Sequence, residues 1–502
     1  MRLDLGNLPA DPELLKTLVS DLLGKLEAQD GMIAKLKHEL ALFRRHTFGR
    51  RSERFDPSQL LFSFLAEALE EKDETEPPAP PEEPRDEKKG KHGRGKLPEH
   101  LPRDTEEHKV PEAGRKCKGC GKDLVKIGED ISEELEYTPA SFFVRRHVRE
   151  KLACKACEEG VVTAPLPQRP IEKGMAGPGL LAHLLVSKYE DHLPLARLER
   201  IFDREGLKIS RSTLCDWVAG GSRVLEPLYE RMREDLLLSK KMHVDETTMP
   251  VLDQTISSGL RKTGFWTYVG DEEHPHTIYE HAPEKSMSTP RNYLSGYAGY
   301  LQADAHRGYD EIYKDGRIIE AACMAHARRK YFDAQASDRK RSAIAIAFFR
   351  GLYEIEREVR NASAEERLGV RQERSRPIAE RFKVWIDQEI LSVLPESPMG
   401  QALRYTIQNW QALTRFLDSG IIDIDNNAAE RALRPVVIGR KNYLFAGSDR
   451  GARRAAVIYS IIASAKRKGV ERFRYLRDVL TRLPTHPRNE IDQLFPANWK
   501  PP

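Results

Sequence analysis

Between residues 13 and 45, apolar side chains recur at alternating steps of four and three: Leu15, Val19, Leu22, Leu26, Ile33, Leu36, Leu40 and Phe43, with Gln29 the polar member of the seam. This heptad spacing predicts a continuous helix and a coiled coil, because it keeps one apolar stripe facing a partner helix. A polar seam residue can fix register and strand number. A single amphipathic helix packed on its own chain carries the same pattern, and Gly24 and Gly31 weaken either helix. The arginine-rich segment RRHTFGRRSERF follows, and reads either as a phosphate-binding arm beside a dimerising helix or as a solvated face. Periodicity then stops. Residues 70–105 pass from the acidic, proline-rich EEKDETEPPAPPEEP to the basic, glycine-rich KKGKHGRGK, neither of which can bury a core, so a linker is expected.

Helical period returns between 178 and 235. LPLARLERIFDREG predicts one helix ended by Gly206, LKIS a turn, and RSTLCDWVAGGSRVL a second helix capped by Ser210. In a helix-turn-helix, Arg211, Ser212, Thr213 and Asp216 would line the exposed start of the second helix while Leu214, Trp217 and Val218 pack inward. An αα-hairpin without DNA contacts has the same apolar pattern. Cys215 reads as a small buried side chain. KKMHVDETTMPVL, GFWTYVGD, HTIYEHAP and YLQADAH then alternate as strands of one mixed sheet, with Ser257, Ser258 and Gly259 marking a turn. IIEAACMAHARRKYFD predicts a short strand running into a basic helix. A long helical stretch follows before DNNAAERALRP opens another helix, which either of its paired asparagines could cap.

Composition adds limits. The chain has 502 residues, 39% hydrophobic and 32% charged, with a net charge of +4, so several soluble domains are expected and the placement of charge matters more than its sum. No apolar run approaches a membrane span and the N-terminus has no hydrophobic signal core, which predicts a cytoplasmic location. Of the six cysteines, Cys117, Cys120, Cys154 and Cys157 form two CxxC pairs. Two such knuckles complete the tetrahedron of a structural zinc ion, and the strand-forming residues between them suggest a zinc-ribbon-like module. Cys323 and His326 have half-site spacing but no second pair, favouring a core or active-site neighbour over zinc.

Three acids stand apart. Asp245 and Asp304 each close an apolar strand-like run, and Glu430 lies on the helix behind the asparagines. Carboxylates gathered from strand ends and a helix suit hard divalent cations and hence phosphoryl-transfer chemistry. Glu246, Asp310, Asp423 and Asp425 lack that combined placement, and His243, His306 and His326 carry no assignable role from sequence. Arg328, Arg329, Arg431, Arg434, Arg440 and Lys441 surround the acids with charge that could meet phosphates, or form solvated faces.

FGRRSERF, LPEHLPR, HVDET, LQADAHRGYD, CMAHARRKYFD, DNNAAERALRP and GRKNYLFAGSDRGARRAAVIYSIIASAKRKG, in this order, resemble the DDE transposases of the insertion sequence 66 family. The resemblance covers most of the chain. It implies a multidomain α+β protein whose RNase H-like mixed-sheet catalytic core contains a helical insertion. The expected order is coiled coil and basic arm (1–69), linker (70–105), zinc module (106–168), helix-turn-helix-like DNA-binding domain (175–235), the leading segment of the catalytic core (236–334), insertion (335–418), the trailing segment of the catalytic core (419–470) and C-terminal tail (471–502). It implies Asp245, Asp304 and Glu430 as the catalytic triad, holding two Mg²⁺ ions for which Mn²⁺ can substitute, beside a structural Zn²⁺. It also implies element ends and target DNA as substrates, nucleoid association, a homo-oligomer of at least two chains through the N-terminal helix, and accessory proteins from the same element. A zinc-containing DNA-binding regulator, or an RNase H-like nuclease without strand transfer, remain the competing functions.

Overall fold

The computed structural model describes scattered positions between 11 and 36 and residues 142–153, 161–165, 168–172, 174–284 and 286–501. Val19, Leu22, Leu26, Ile33 and Leu36 of the N-terminal seam are helical with exposed side chains. Leu15, Leu40 and Phe43, the basic segment, the 70–105 linker and all four CxxC cysteines lie outside the described residues. Strands β1 (Lys151–Ala153) and β2 (Val161–Thr163) pair antiparallel, and the second CxxC falls in the connection between them. Residues 142–150, whose composition suits strands, carry no strand.

Helices α1 (Pro178–Tyr189), α2 (Leu195–Arg204) and α3 (Arg211–Leu236) follow. Gly206, at φ +81°, supplies the left-handed turn after α2, and the Ser210 hydroxyl accepts from the Thr213 amide at 3.2 Å to start α3. Leu214, Trp217 and Val218 are buried while Arg211, Ser212 and Asp216 are exposed, as the apolar pattern requires. Cys215 is exposed, contrary to expectation, because it falls one position past the buried stripe. The second helix also runs past the expected Leu225 to Leu236. Its distal half, including Leu228, Met232 and Leu236, shares one core with the sheet that follows.

That sheet has five strands, β3 (Lys241–Leu252), β4 (Leu260–Val269), β5 (Thr277–Ala282), β6 (Gly299–Ala303) and β7 (Ile318–Ala322), in the order β5-β4-β3-β6-β7. β3–β4 and β4–β5 are antiparallel; β3–β6 and β6–β7 are parallel. β3 continues past Asp245 to Leu252 instead of ending there, since it keeps pairing with β4 after leaving β6. Its parallel rungs with β6 stop at His243↔Gln302.

From β7 the chain enters α4 (Met324–Ala334), then α5 (Arg339–Glu358), α6 (Arg376–Glu389) and α7 (Pro398–Gln408), with shorter helical segments between them. These build a second core around Tyr331, Phe349, Phe382, Leu403 and Leu413. Its crossing point is polar. Arg371 is fully buried, binds Glu356 through two bonds of 2.7 and 2.6 Å, and donates to the carbonyls of Phe416, Ser419 and Ile422. Beside it Gly420 lies against the Ala364 backbone, where a Cβ would collide with the carbonyl group. The chain returns to the first core through α8 (Asn427–Tyr443), α9 (Asp449–Arg467) and α10 (Arg472–Arg482). Residues 471–502, expected as a tail, bury Tyr475, Leu476, Val479, Leu480, Ile491, Leu494 and Phe495 in that core. Apolar positions at helical spacing in FRYLRDVL account for the docking.

Candidate acidic centre

Asp245 lies two residues beyond the last β3–β6 rung, and Asp304 directly follows β6. Both therefore stand where the parallel pair of strands ends, the position from which open α/β sheets present ligand-binding groups. Glu430 is in the first turn of α8. The three acids are brought close enough to act on one another. Burial, followed by the charges of Asp304, Glu430 and Glu246, pushes the Asp245 carboxyl up to about 7, against the pull of its hydrogen bond from the Glu246 amide at 2.8 Å. Asp304 accepts from the His306 amide at 3.1 Å.

α8 is stitched along β3 at three levels. At its start neither asparagine caps with its side chain. Asn426 is buried and turned inward, donating to the Val244 carbonyl at 2.8 Å and meeting His243 Nδ1 at 3.0 Å, while Asn427 donates to Asp425 at 2.6 Å. His243 Nε2 meets Asp423 at 2.9 Å and Lys241 Nζ meets the same oxygen at 2.8 Å. Burial opposes the Asp423 charge, but the His243 hydrogen bond and the Lys241 ammonium outweigh it and hold the carboxyl well below the usual range. In its last turn, Arg440 donates to Thr247 Oγ1 at 3.3 Å and to the Thr248 carbonyl. Beyond the helix, Ala446 exchanges backbone hydrogen bonds of 2.8 Å with Pro250 and Leu252. This frame is not legible in the sequence, although the His-Val-Asp and Asp-Asn-Asn contexts are its visible signal. Asn426→Ala is expected to cost about 1–3 kcal/mol, since it leaves the Val244 carbonyl and the His243 ring buried without their partner. Activity should fall further than the folded fraction measured by circular dichroism, because Glu430 loses its nearest anchor.

Cys323 stands just before α4, at the end of β7, and its buried Sγ accepts the Asn426 amide at 3.1 Å. Burial pushes this thiol up to about 12. Cys323 Sγ, a His326 ring nitrogen and a Glu430 carboxylate oxygen all lie within 4.8 Å of one another. This sets Cys323 and His326 against Glu430 of the acidic centre.

The basic residues sort into different settings. Arg431, Arg434 and Lys441 are exposed on α8, whereas Arg440 is committed to β3. Arg328 lies over the Tyr353 ring at 6.0 Å and Arg329 is exposed on α4. Arg211 and Ser212 are exposed and Thr213 half-buried at the start of α3.

Fold and site together define an α/β protein with a carboxylate cluster at the end of a parallel strand pair. Residues 173–454 match the model described as "Transposase IS66 family", and the chain belongs to that family. Residues 115–158 match the "zinc-finger binding domain of transposase IS66", residues 35–105 "Transposase C of IS166 homeodomain", and residues 460–497 the "IS66 C-terminal element". Relatives in Sinorhizobium fredii (strain NBRC 101917 / NGR234) include uncharacterized protein y4jD, 33% identical over 501 residues covering 95% of this chain and 96% of the relative. Uncharacterized protein y4hP from the same organism is 36% identical over 424 residues, covering 80% and 76% respectively. Among the described residues, no helix is long and apolar enough to cross a membrane.

Proposed function

We propose that the chain is a DDE transposase acting through an RNase H-like core, with Asp245, Asp304 and Glu430 holding two divalent cations. The observation carrying this reading is the gathering of Asp245 and Asp304 where the β3–β6 pair ends with Glu430 in the first turn of α8, a setting in which burial first and the neighbouring carboxylate charges second raise the Asp245 carboxyl. An all-oxygen pair from Asp245 and Asp304 fits a hard cation such as Mg²⁺. When bound, such ions polarise the scissile phosphate and lower the pKa of the attacking hydroxyl. The protein's own task is to fix the acids through β3, β6 and α8, and to surround the phosphates with Arg431, Arg434 and Lys441. Water would attack the phosphodiester at each element end and release a 3′ hydroxyl, which would then attack target DNA in line.

Purified protein incubated with Mg²⁺, labelled element-end DNA and a target plasmid tests the assignment. Joined products from the wild type and none from Asp304→Ala are expected. Cutting without joining would mean a nuclease, and DNA binding without either in both proteins would mean a regulator.

The zinc-finger region is proposed to hold one Zn²⁺ through Cys117, Cys120, Cys154 and Cys157. Metal analysis of protein purified without chelator should give about one zinc per chain. Replacing Cys154 and Cys157 by Ser should abolish it; metal-free wild type would remove the assignment. Arg211, Ser212 and Thr213 are proposed to face element-end DNA from α3, and the N-terminal seam to pair two chains.

A further inference from the structure

We infer that the Glu430 side of the acidic centre is a mixed nitrogen–oxygen cation position completed by His326, taking a nitrogen-tolerant divalent ion of the Mn²⁺ class. The inference rests on the proposed reading of the triad and adds a ligand to it. Two helix starts face one another here. Cys323 and Asn426 occupy the positions just before α4 and α8, and the 3.1 Å bond from the Asn426 amide to Cys323 Sγ joins the two helix starts directly. His326 in the first turn of α4 is thereby held opposite Glu430 in the first turn of α8.

His326 Nδ1 is 3.8 Å from Glu430 Oε1, too far for a hydrogen bond, and the nitrogen is shielded from solvent with no hydrogen-bond partner. Buried polar nitrogens are normally satisfied, and an unpaired one requires an explanation. Two donors each about 2.0–2.2 Å from a shared ion lie roughly 3–4 Å apart, so the observed separation suits ligands of one cation. Cys323 Sγ completes the wall of this position, but it is fully buried and already accepts an amide, which leaves the imidazole and carboxylate as ligands. Mg²⁺ strongly prefers oxygen and keeps its waters, whereas Mn²⁺ and its later neighbours accept imidazole. The two sides of the centre therefore differ in chemistry: oxygen alone at Asp245 and Asp304, nitrogen with oxygen at Glu430.

The test is pulsed electron paramagnetic resonance of the full-length protein loaded with Mn²⁺. Coupling from a directly bound histidine nitrogen is expected, with its pattern changing when histidines are labelled with ¹⁵N. The coupling should vanish in His326→Ala and His326→Gln, with Mn²⁺ affinity falling on the order of tenfold or more while the thermal melt stays cooperative. Should neither variant fold, loss of the labelled histidine coupling in Glu430→Gln, with the coupling kept in His306→Gln, supports the assignment, and the reverse overturns it. Mn²⁺ that depends on Asp245 for binding but shows no histidine coupling would overturn the His326 assignment and leave the triad standing. Coupling that persists in both variants would overturn it equally. Binding indifferent to Asp245→Asn and Glu430→Gln would overturn the triad reading as well.

Discussion

Asp245→Asn is expected to abolish DNA cleavage and joining, by at least about a thousandfold, while making the metal-free protein more stable above pH 7. The substitution keeps size and shape, and the amide oxygen can still accept from the Glu246 N–H, but the anionic ligand is gone. The stability gain follows from linkage. Burial and the neighbouring carboxylates raise Asp245 from an ordinary 3.8 to about 7, so the folded state binds the proton more tightly than the unfolded chain. Its contribution is fully present below the ordinary value and is lost as pH rises through about 7. A shift of this size is on the order of a few kcal/mol. Chelator-treated wild type should therefore lose stability across that window more steeply than Asp245→Asn, and Mg²⁺ should restore the wild type while doing little for the variant. Thermal melts over pH with chelator or Mg²⁺ check both halves. Identical pH profiles would show that neither burial nor the neighbouring carboxylates raise Asp245 in the folded protein.

Arg371→Ala is expected to be the most destabilising single change in the helical insertion, at about 3–5 kcal/mol or more. The guanidinium is fully buried, and its removal strands the Glu356 carboxylate and three backbone carbonyls at once. The double variant Arg371→Leu with Glu356→Leu should recover some of the loss, because apolar replacements carry no unpaired charge. Denaturant titration of the single and double variants measures this. Additive losses would mean that the pair is not coupled.

Much of this architecture is visible in the chain. Alternating apolar positions around HVDETTMPVL and GFWTYVGD give the sheet, and the long helical texture after AHARRKYFD gives an insertion between the second and third acids. Ser210 and Gly206 mark the helix boundaries because capping and left-handed turns are chemically local. What stays hidden depends on contacts distant in sequence. Asn426 looks like a cap, yet its side chain serves Val244 and His243, and nothing in Asp-Asn-Asn alone distinguishes the two uses. Arg440 looks like a phosphate contact and instead ties α8 to β3. The extent of α3 is hidden because Pro227 and the charges after it obscure a stripe that only the sheet explains. Cys215 departs from expectation by one position on a helix, where a single residue turns a side chain from core to solvent.

The stitching of α8 along β3 has a mechanical consequence. An acid carried by a helix fastened just before its first turn, in its last turn and just beyond its end to the strand bearing another acid cannot swing to meet its substrate. In the proposed reaction, the protein is the anvil, and the compliance needed to seat a scissile phosphate falls on the nucleic acid. Kinkable or unstacked steps near the cleavage point would then be processed faster than stiff ones, through a preference for deformability and not for any base the protein touches.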